Sequence, residues 1–431
     1  MSLSPAGWIC GSCSSGYPVI GEVPWLFPEP RQALVEWRGR FSMLGQHLAS
    51  EATAMRVAAG STPSAATRRR LEHTAAAYDD QVRRVGQLLA PLGLDQAAMS
   101  ETTHRGLGTR LPSEQGLTNY YVNLHRDWAW GGEENAAAAG EIAALTGLRG
   151  LGRTLVQGAG AGRLAWDLHQ GGDSPLTVAT DFNPLLLFVA REMYAGRPLE
   201  LHEFPIAPIG EHAVLRRLES PGGTRDGLVL VAADALHPPF ADGVFDTVVT
   251  PWFVDIIGEP FARVAARINL LLKPGGRWIN TGSLVFSRAA HADRIGLDEV
   301  RELMPAAGFA DLRLRENTLP YMRSPASRHS RLETVVSWVA HKSGPAAEQP
   351  RARVLPDWLL QPDRPVPRTP AFEVQAISSR VHAFMLAMIN GERSMRDMAR
   401  MLVEQRLMSA EEAETQVALF LARLYEQTET Q

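Results

Sequence analysis

The segment Leu155-Val-Gln-Gly-Ala-Gly-Ala-Gly-Arg-Leu164 constrains this chain more than any other stretch. A β-strand ends at Val156, three glycines alternate at Gly158, Gly160 and Gly162, and Arg163 to Gln170 reads as a helix. Glycine turns the backbone sharply and lets it approach a ligand, while the helix start offers unbonded N–H groups. The spacing is G-x-G-x-G, whereas the dinucleotide fingerprint is G-x-G-x-x-G. Taken alone, the loop suits a tight strand-to-helix turn as well as a ligand cradle.

The surrounding pattern gives the loop a setting. From Leu117 to about His341, apolar β-type runs alternate with helical runs: Thr154–Val156, Leu176–Ala179, Leu228–Val231, Phe245–Val249 and Arg277–Asn280, then Asp311–Arg315 with Thr334–Ala340. This order predicts an α/β fold with a parallel, Rossmann-like sheet covered on both faces. Before it, Gly7 to Pro30 reads as short strands and turns, and Arg31 to Leu92 as helical. Trp37, Phe41, Leu44 and Leu48 form one buried face there, and Ser64 is a candidate N-cap. Met99 to Gln115 reads as a connector. Seven prolines between Ser343 and Pro370 suggest a linker. Val374 to Tyr425 reads as helical around a Gly391-Glu-Arg-Ser394 turn, with Phe384, Leu386, Ile389, Met395, Met398 and Leu402 as core. The expected division is 1–30, 31–116 as a helical cap, 117–343 as the core, 344–370 as linker and 371–431 as a small domain.

Composition narrows the function. With 43 basic and 47 acidic residues the net charge is −4, which lacks the basic face of a nucleic-acid binder. No apolar run reaches the ~18 residues of a membrane span, and Met1 to Gly7 has no signal-peptide pattern, so the expected setting is the cytoplasm. The only cysteines, Cys10 and Cys13, cannot make a disulfide framework. As a C-x-x-C pair they suit half of a zinc site, but four ligands are the rule and no second pair exists. A degenerate, metal-free remnant is the preferred reading and no metal is expected; redox chemistry, or metal shared across a homodimer, are the alternatives.

Three downstream features turn the glycine loop toward a ligand. Asp181 stands at the end of the second strand, where an acid accepts bonds from a ribose diol. Asp234 follows the third strand, beside the place for an adenine ring, and Leu272-Lys-Pro-Gly-Gly276 turns the chain ahead of the fifth. This order resembles the class I methyltransferases, which implies S-adenosylmethionine as cofactor. Tyr120-Tyr-Val-Asn-Leu-His-Arg-Asp-Trp128, Phe253-Val-Asp255 and Trp278-Ile-Asn-Thr-Gly282 narrow the likeness. Over Leu117 to His341 the chain resembles the carnosine N-methyltransferase-like family, which methylates an imidazole nitrogen. The resemblance implies that Asn123, Arg126, Gly158, Gly160, Gly162, Asp181, Phe182, Asp234 and Ala235 bind the cofactor. Arg126 would fork onto the methionine carboxylate.

Asp255 matches that family's substrate carboxylate and is the expected catalytic residue; a helix N-cap is its other reading. Methyl transfer is an in-line displacement, so the enzyme's chief task is to aim a lone pair. A carboxylate that accepts the imidazole N–H fixes the tautomer and points the other nitrogen at the methyl group. Phe286 in Gly282-Ser-Leu-Val-Phe-Ser287, His291, and Tyr321 in Leu319-Pro-Tyr-Met-Arg323 complete the expected substrate set. Their departures from the family pattern, with Thr180-Asp181-Phe182-Asn183 in place of Asn-Glu-Phe-Ser, shift the expectation from carnosine to an imidazole or another nitrogen heterocycle. The segment Gly21-Glu-Val-Pro-Trp-Leu-Phe-Pro28 resembles the end of a zinc-ribbon-like module. Ala383 to Leu402 resembles the winged-helix, PqqD-like domains that hold a leader peptide. The resemblances thus leave three readings: a small-molecule N-methyltransferase, a modifier of a ribosomal peptide, or a cofactor-binding scaffold without catalysis.

Overall fold

The computed structural model describes residues 2–4, 7–11, 15–94, 121–286, 291–347 and 363–429. The chain divides into two compact units, Met1–Gln349 and Pro350–Gln431.

The first unit is built on seven strands: β1 (Arg153–Gln157), β2 (Leu176–Asp181), β3 (Leu228–Ala232), β4 (Phe245–Pro251), β5 (Leu272–Gly282), β6 (Phe309–Tyr321) and β7 (Arg331–Lys342). Their order across the sheet is β3-β2-β1-β4-β5-β7-β6. The first five pair in parallel, and β7 runs antiparallel to both β5 and β6. All seven strands expected from the sequence are present. Val, Ile and Leu fill the parallel strands because both sheet faces are covered, and Leu155, Val156, Val248, Val249 and Ile279 are fully buried. The order reverses between β1 and β4, which opens a crevice at the carboxyl ends of the strands, the usual ligand position in such sheets.

Helices α1 (Pro30–Ser61) and α2 (Ala65–Leu88) precede the sheet; α3 (Gly132–Thr146), α4 (Arg163–Gly171), α5 (Pro184–Tyr194), α6 (Phe261–Leu271) and α7 (Leu297–Ala306) accompany it. Ser64 caps α2 by accepting from the Thr67 N–H at 3.2 Å, as its position predicts. The apolar face of α1 packs into the core that also holds α5: Trp37, Phe41, Leu44 and Leu48 share one cluster with Leu185 to Ala190. The N-terminal strands are short, and the chain then reaches the sheet itself. Trp25 makes a parallel bridge with Ala232, and the Leu26 N–H donates to the Ala232 carbonyl at 2.8 Å. Cap and core are thus parts of one compact unit.

A hairpin, Leu199–Glu203 with Val214–Leu218, is inserted ahead of β3 and escapes the sequence pattern. It ties several elements together. Gln81 on α2 accepts the His202 N–H at 2.8 Å, the buried His125 ring meets the His202 carbonyl at 3.1 Å, and Glu203 accepts from Arg216 at 2.7 Å and from the Ser324 hydroxyl. Burial depresses the His125 pKa to about 4, so the ring stays neutral and donates through Nε2.

The second unit contains α8 (Pro370–Met388), α9 (Met395–Glu404) and α10 (Ala410–Glu429). Ser394 caps α9 through a capping box with Asp397. Its described residues form three helices and no strand, so they show a helical bundle without a wing. The helix phase also differs from the expected one. Met385, Met388, Met398, Ala399 and Leu402 are buried, whereas Leu386, Ile389 and Met395 face outward and Phe384 is partly buried. Cys13, the whole connector Met99–Gln115, Ser287 and much of the proline-rich linker lie outside the described residues.

Candidate active site

A cavity of about 800 Å³ opens at the carboxyl ends of β1, β2, β3 and β4. The glycine loop forms its floor. Gly158, Gly160 and Gly162 all have positive φ, +67°, +58° and +82°. Their reasons differ. A Cβ on Gly158 would lie 2.5 Å from the Phe253 ring, so this glycine seats the loop against the turn after β4. A Cβ on Gly160 would meet nothing within 4 Å, so its backbone lies open toward the cavity. Gly162 does not line the cavity. A Cβ there would strike the Tyr194 hydroxyl and lie 3.0 Å from Ala190, so it serves the packing of α4 on α5.

Asp181 ends β2 and is buried. Its Oδ2 accepts the Gly160 N–H at 2.9 Å and its Oδ1 the Asn183 N–H at 2.8 Å. Burial pushes its pKa up to about 6, against the pull of those backbone N–H groups. Phe182 follows it in the wall. After β3, Asp234 accepts the Leu236 N–H at 2.9 Å, with the His237 Nδ1 at 3.0 Å from its other oxygen; Asp234 and Ala235 both line the cavity.

A short helix, Tyr121–His125, runs into a π-helical turn, Arg126–Trp130, a form often found at functional sites. It brings Asn123 and Arg126 into the wall. The Asn123 Oδ1 is buried without a hydrogen-bond partner. Arg126 forks onto Asp127 at 2.8 and 2.6 Å, and its guanidinium lies 5.3 Å from the Tyr321 ring centroid. Burial opposes the Arg126 charge, but Asp127, Tyr321 and Glu134 outweigh it and hold the pKa above its ordinary value. Tyr321, at the end of β6, also packs against Trp252 at 4.5 Å. Trp252 carries a left-handed φ of +47°, a strained conformation for a non-glycine residue in a cavity wall.

The remaining expected substrate residues sit elsewhere. Asp255 is buried but does not line the cavity: its Oδ2 accepts from the Ser283 hydroxyl at 2.5 Å and the Val285 N–H at 3.1 Å, and its Oδ1 is buried without a partner. It does not cap α6 either, since Pro260 occupies that position. Phe286 is packed in a core cluster with Phe253 and Val254, and His291 is exposed outside the cavity. Conversely, Phe27, Glu36, Trp37 and Arg40 line the cavity although the sequence marked Trp37 only as core. The available signal was that Ala33, Glu36, Trp37 and Arg40 recur at helical spacing, with charged members inside an apolar face. Seven carboxylates and two guanidiniums line the cavity among the described residues. No cluster of metal-ligating side chains occurs among them.

Residues 155–280 match the family model of a methyltransferase domain. No curated protein matches the chain. Among solved structures, the chain is similar to Haemonchus contortus phosphoethanolamine N-methyltransferase 2, in complex with phosphomonomethylethanolamine and S-adenosylhomocysteine, at 17% identity and a TM-score of 0.33. That match covers 46% of this chain and 43% of the nematode enzyme, so the chain spans less than half of that protein's length. The YcgJ protein of Bacillus subtilis is 13% identical over 48% of this chain and 99% of its own, with a TM-score of 0.35. A methyltransferase of Thermotoga maritima, titled a possible histamine N-methyltransferase, is 15% identical over 52% of this chain and 94% of its own, with a TM-score of 0.32. The matched segment carries the glycine loop, Asp181 and Asp234, and residues 155–280 are a methyltransferase domain, an enzyme domain that uses S-adenosylmethionine. No described helix is long and apolar enough to cross a membrane.

Proposed function

We propose that this methyltransferase domain alkylates a nitrogen of a small histidine-derived molecule or another imidazole. The observation that carries the reading is the acidic lining of the cavity: of its seven carboxylates, Glu36, Asp127, Asp167 and Glu259 pair with arginines, which leaves Glu134, Asp181 and Asp234 outside those pairs, on walls that include Trp252 and Tyr321. Such a site favours a nitrogen base over an anionic acceptor. Pockets of about 300–1,000 Å³ enclose a drug-sized ligand, so 800 Å³ suits the cofactor together with a small acceptor.

The residues present fit the cofactor. The open backbone at Gly160, the buried Asn123 Oδ1 without a partner and the buried Asp181 carboxylate offer, respectively, close approach, an acceptor for an ammonium and an acceptor for a ribose diol. Arg126 would hold the methionine carboxylate, with Phe182 and Ala235 beside the base. S-adenosylmethionine supplies a methyl group on a positively charged sulfur. The protein's part is then to orient the acceptor nitrogen, whose ring has a pKa near ~6.5 and needs no strong base to be neutral.

The N–H acceptor is a carboxylate of the 252–259 turn. Glu259, which lines the cavity, is the first candidate; Asp255 lies behind the wall, with one buried oxygen that has no partner, and is the second. Mass spectrometry of methyl transfer to histidine, histidine dipeptides and a histidine-bearing peptide tests the reading. The expected result is one methyl on a ring nitrogen. Transfer to the peptide alone would favour the ribosomal-peptide reading, and cofactor binding with no transfer would remove the imidazole acceptor. With an active acceptor, Asp255→Asn and Glu259→Gln separate the two carboxylates. The one that faces the acceptor should raise the acceptor KM or abolish turnover, with the S-adenosylhomocysteine Kd unchanged.

A further inference from the structure

The matched domain begins at residue 155, yet part of the cavity wall comes from the first forty residues of the chain. Phe27 and Pro28 line the cavity, followed by Ala33, Glu36, Trp37 and Arg40 on one face of α1. Two contacts fix this wall to the sheet. The Leu26 N–H donates to the carbonyl of Ala232, the last residue of β3 and two short of Asp234. The Trp25 indole N–H donates to the Pro30 carbonyl at 3.1 Å, which joins the bridge on β3 to the start of α1.

Trp37 is the centre of the wall. Its ring stacks on Phe41 at 5.4 Å, meets Phe182 at 5.9 Å with the planes 48° apart, and lies 5.3 Å from the Arg40 guanidinium. Held from these sides, it has little freedom, which keeps the entropy cost of stacking a ligand low. A ribose held by Asp181 would have in the same wall Phe182, which follows Asp181 at the end of β2, and Asp234 and Ala235, which follow the neighbouring β3. The part of the nucleoside that reaches Phe182 is therefore the base. A planar purine placed there meets aromatic rings contributed from two regions far apart in the chain.

We propose that Trp37, supported by Phe27, is a cofactor-binding residue that closes on the purine ring, so that cofactor affinity is set partly by a segment outside the methyltransferase domain. The experiment is calorimetric titration of the full chain with S-adenosylhomocysteine and with adenosine, for the native protein and for Trp37→Leu and Trp37→Phe. Trp37→Leu keeps an apolar side chain in the wall but removes the ring. It should weaken both ligands by the same factor, about 5- to 150-fold, the range for a base stacked on an aromatic side chain. Trp37→Phe should retain most of the affinity and confirms that the site survives substitution. Thermal unfolding without ligand shows that each variant is folded at the titration temperature. Unchanged affinity in a folded Trp37→Leu protein would overturn the proposal, as would a loss confined to S-adenosylhomocysteine with adenosine unaffected. No acceptor enters this experiment, so its outcome is independent of the imidazole reading.

Discussion

Replacing Asp181 with asparagine is expected to weaken S-adenosylhomocysteine binding about 10- to 150-fold, the equivalent of ~1.5–3 kcal/mol for hydrogen bonds to a charged group. The geometry makes the loss hard to avoid. Both carboxylate oxygens already hold a backbone N–H, from Gly160 and Asn183. An asparagine amide must turn its NH2 toward one of those donors, so the substitution removes charge and also disturbs the loop that faces the cofactor. Calorimetry reads the affinity, and an unchanged Kd would remove the ribose from Asp181.

The same carboxylate gives the affinity a pH dependence of definite sign. Burial holds its pKa at about 6, above the ordinary carboxylate value, so in the free protein Asp181 takes up a proton as the pH falls through 6. Ribose hydroxyls donate to the ionised form. Binding should therefore be full above this pKa and fall by about tenfold per pH unit below it, since one unit corresponds to ~1.36 kcal/mol. The Asp181→Asn protein should show no such slope. A slope of the same size in that variant would assign the titration to another group.

The second large effect separates two glycines two residues apart. Gly158→Ala must fit a Cβ 2.5 Å from the Phe253 ring at a φ of +67°. Left-handed backbone costs about 1–2 kcal/mol and overpacking about 1–3 kcal/mol, so the variant should unfold at clearly lower temperature even without ligand. Gly160→Ala carries the left-handed cost at +58° but meets no protein atom within 4 Å. Its methyl group enters the space where a ligand would approach the backbone. Its stability loss should be the smaller of the two, while its loss of S-adenosylhomocysteine affinity should exceed what the change in stability explains. Equal effects of both substitutions on stability and on binding would mean that Gly160 is a packing glycine like Gly162.

What was legible in the sequence was local in origin. The glycine loop, the acids at the ends of β2 and β3 and the alternation of strands and helices are each encoded within about ten residues, and each depends on backbone geometry that a short motif enforces. What was missed depends on contacts between distant segments. Asp255 follows β4, and Ser283 and Val285 take one of its oxygens, contacts that nothing near Asp255 in the sequence announces. The buried face of α1 reads the same whether Trp37 meets a core or a cavity, since both demand an apolar stripe. Gly162 belongs to the loop by spacing and to the packing of α5 by position. In the second unit a one-residue error of helix phase exchanged Met385 for Leu386, because every residue of Phe384-Met-Leu-Ala-Met-Ile389 is apolar and the pattern gives no preferred face.

The bridge between Trp25 and Ala232 also governs when this protein becomes whole. During synthesis residues 25 and 26 leave the ribosome long before β3 exists to receive them, so they are among the last to find their place. Until then, the outer backbone groups of β3 form an exposed strand edge, a template for pairing with another chain. Docking of residues 25 and 26 covers the Ala232 end of that edge and brings Phe27 and Pro28 into the cavity wall. A chain that has not completed this step is both more prone to aggregate and less able to retain its cofactor, so the cofactor supplied during refolding should raise the yield of soluble protein by favouring the docked state.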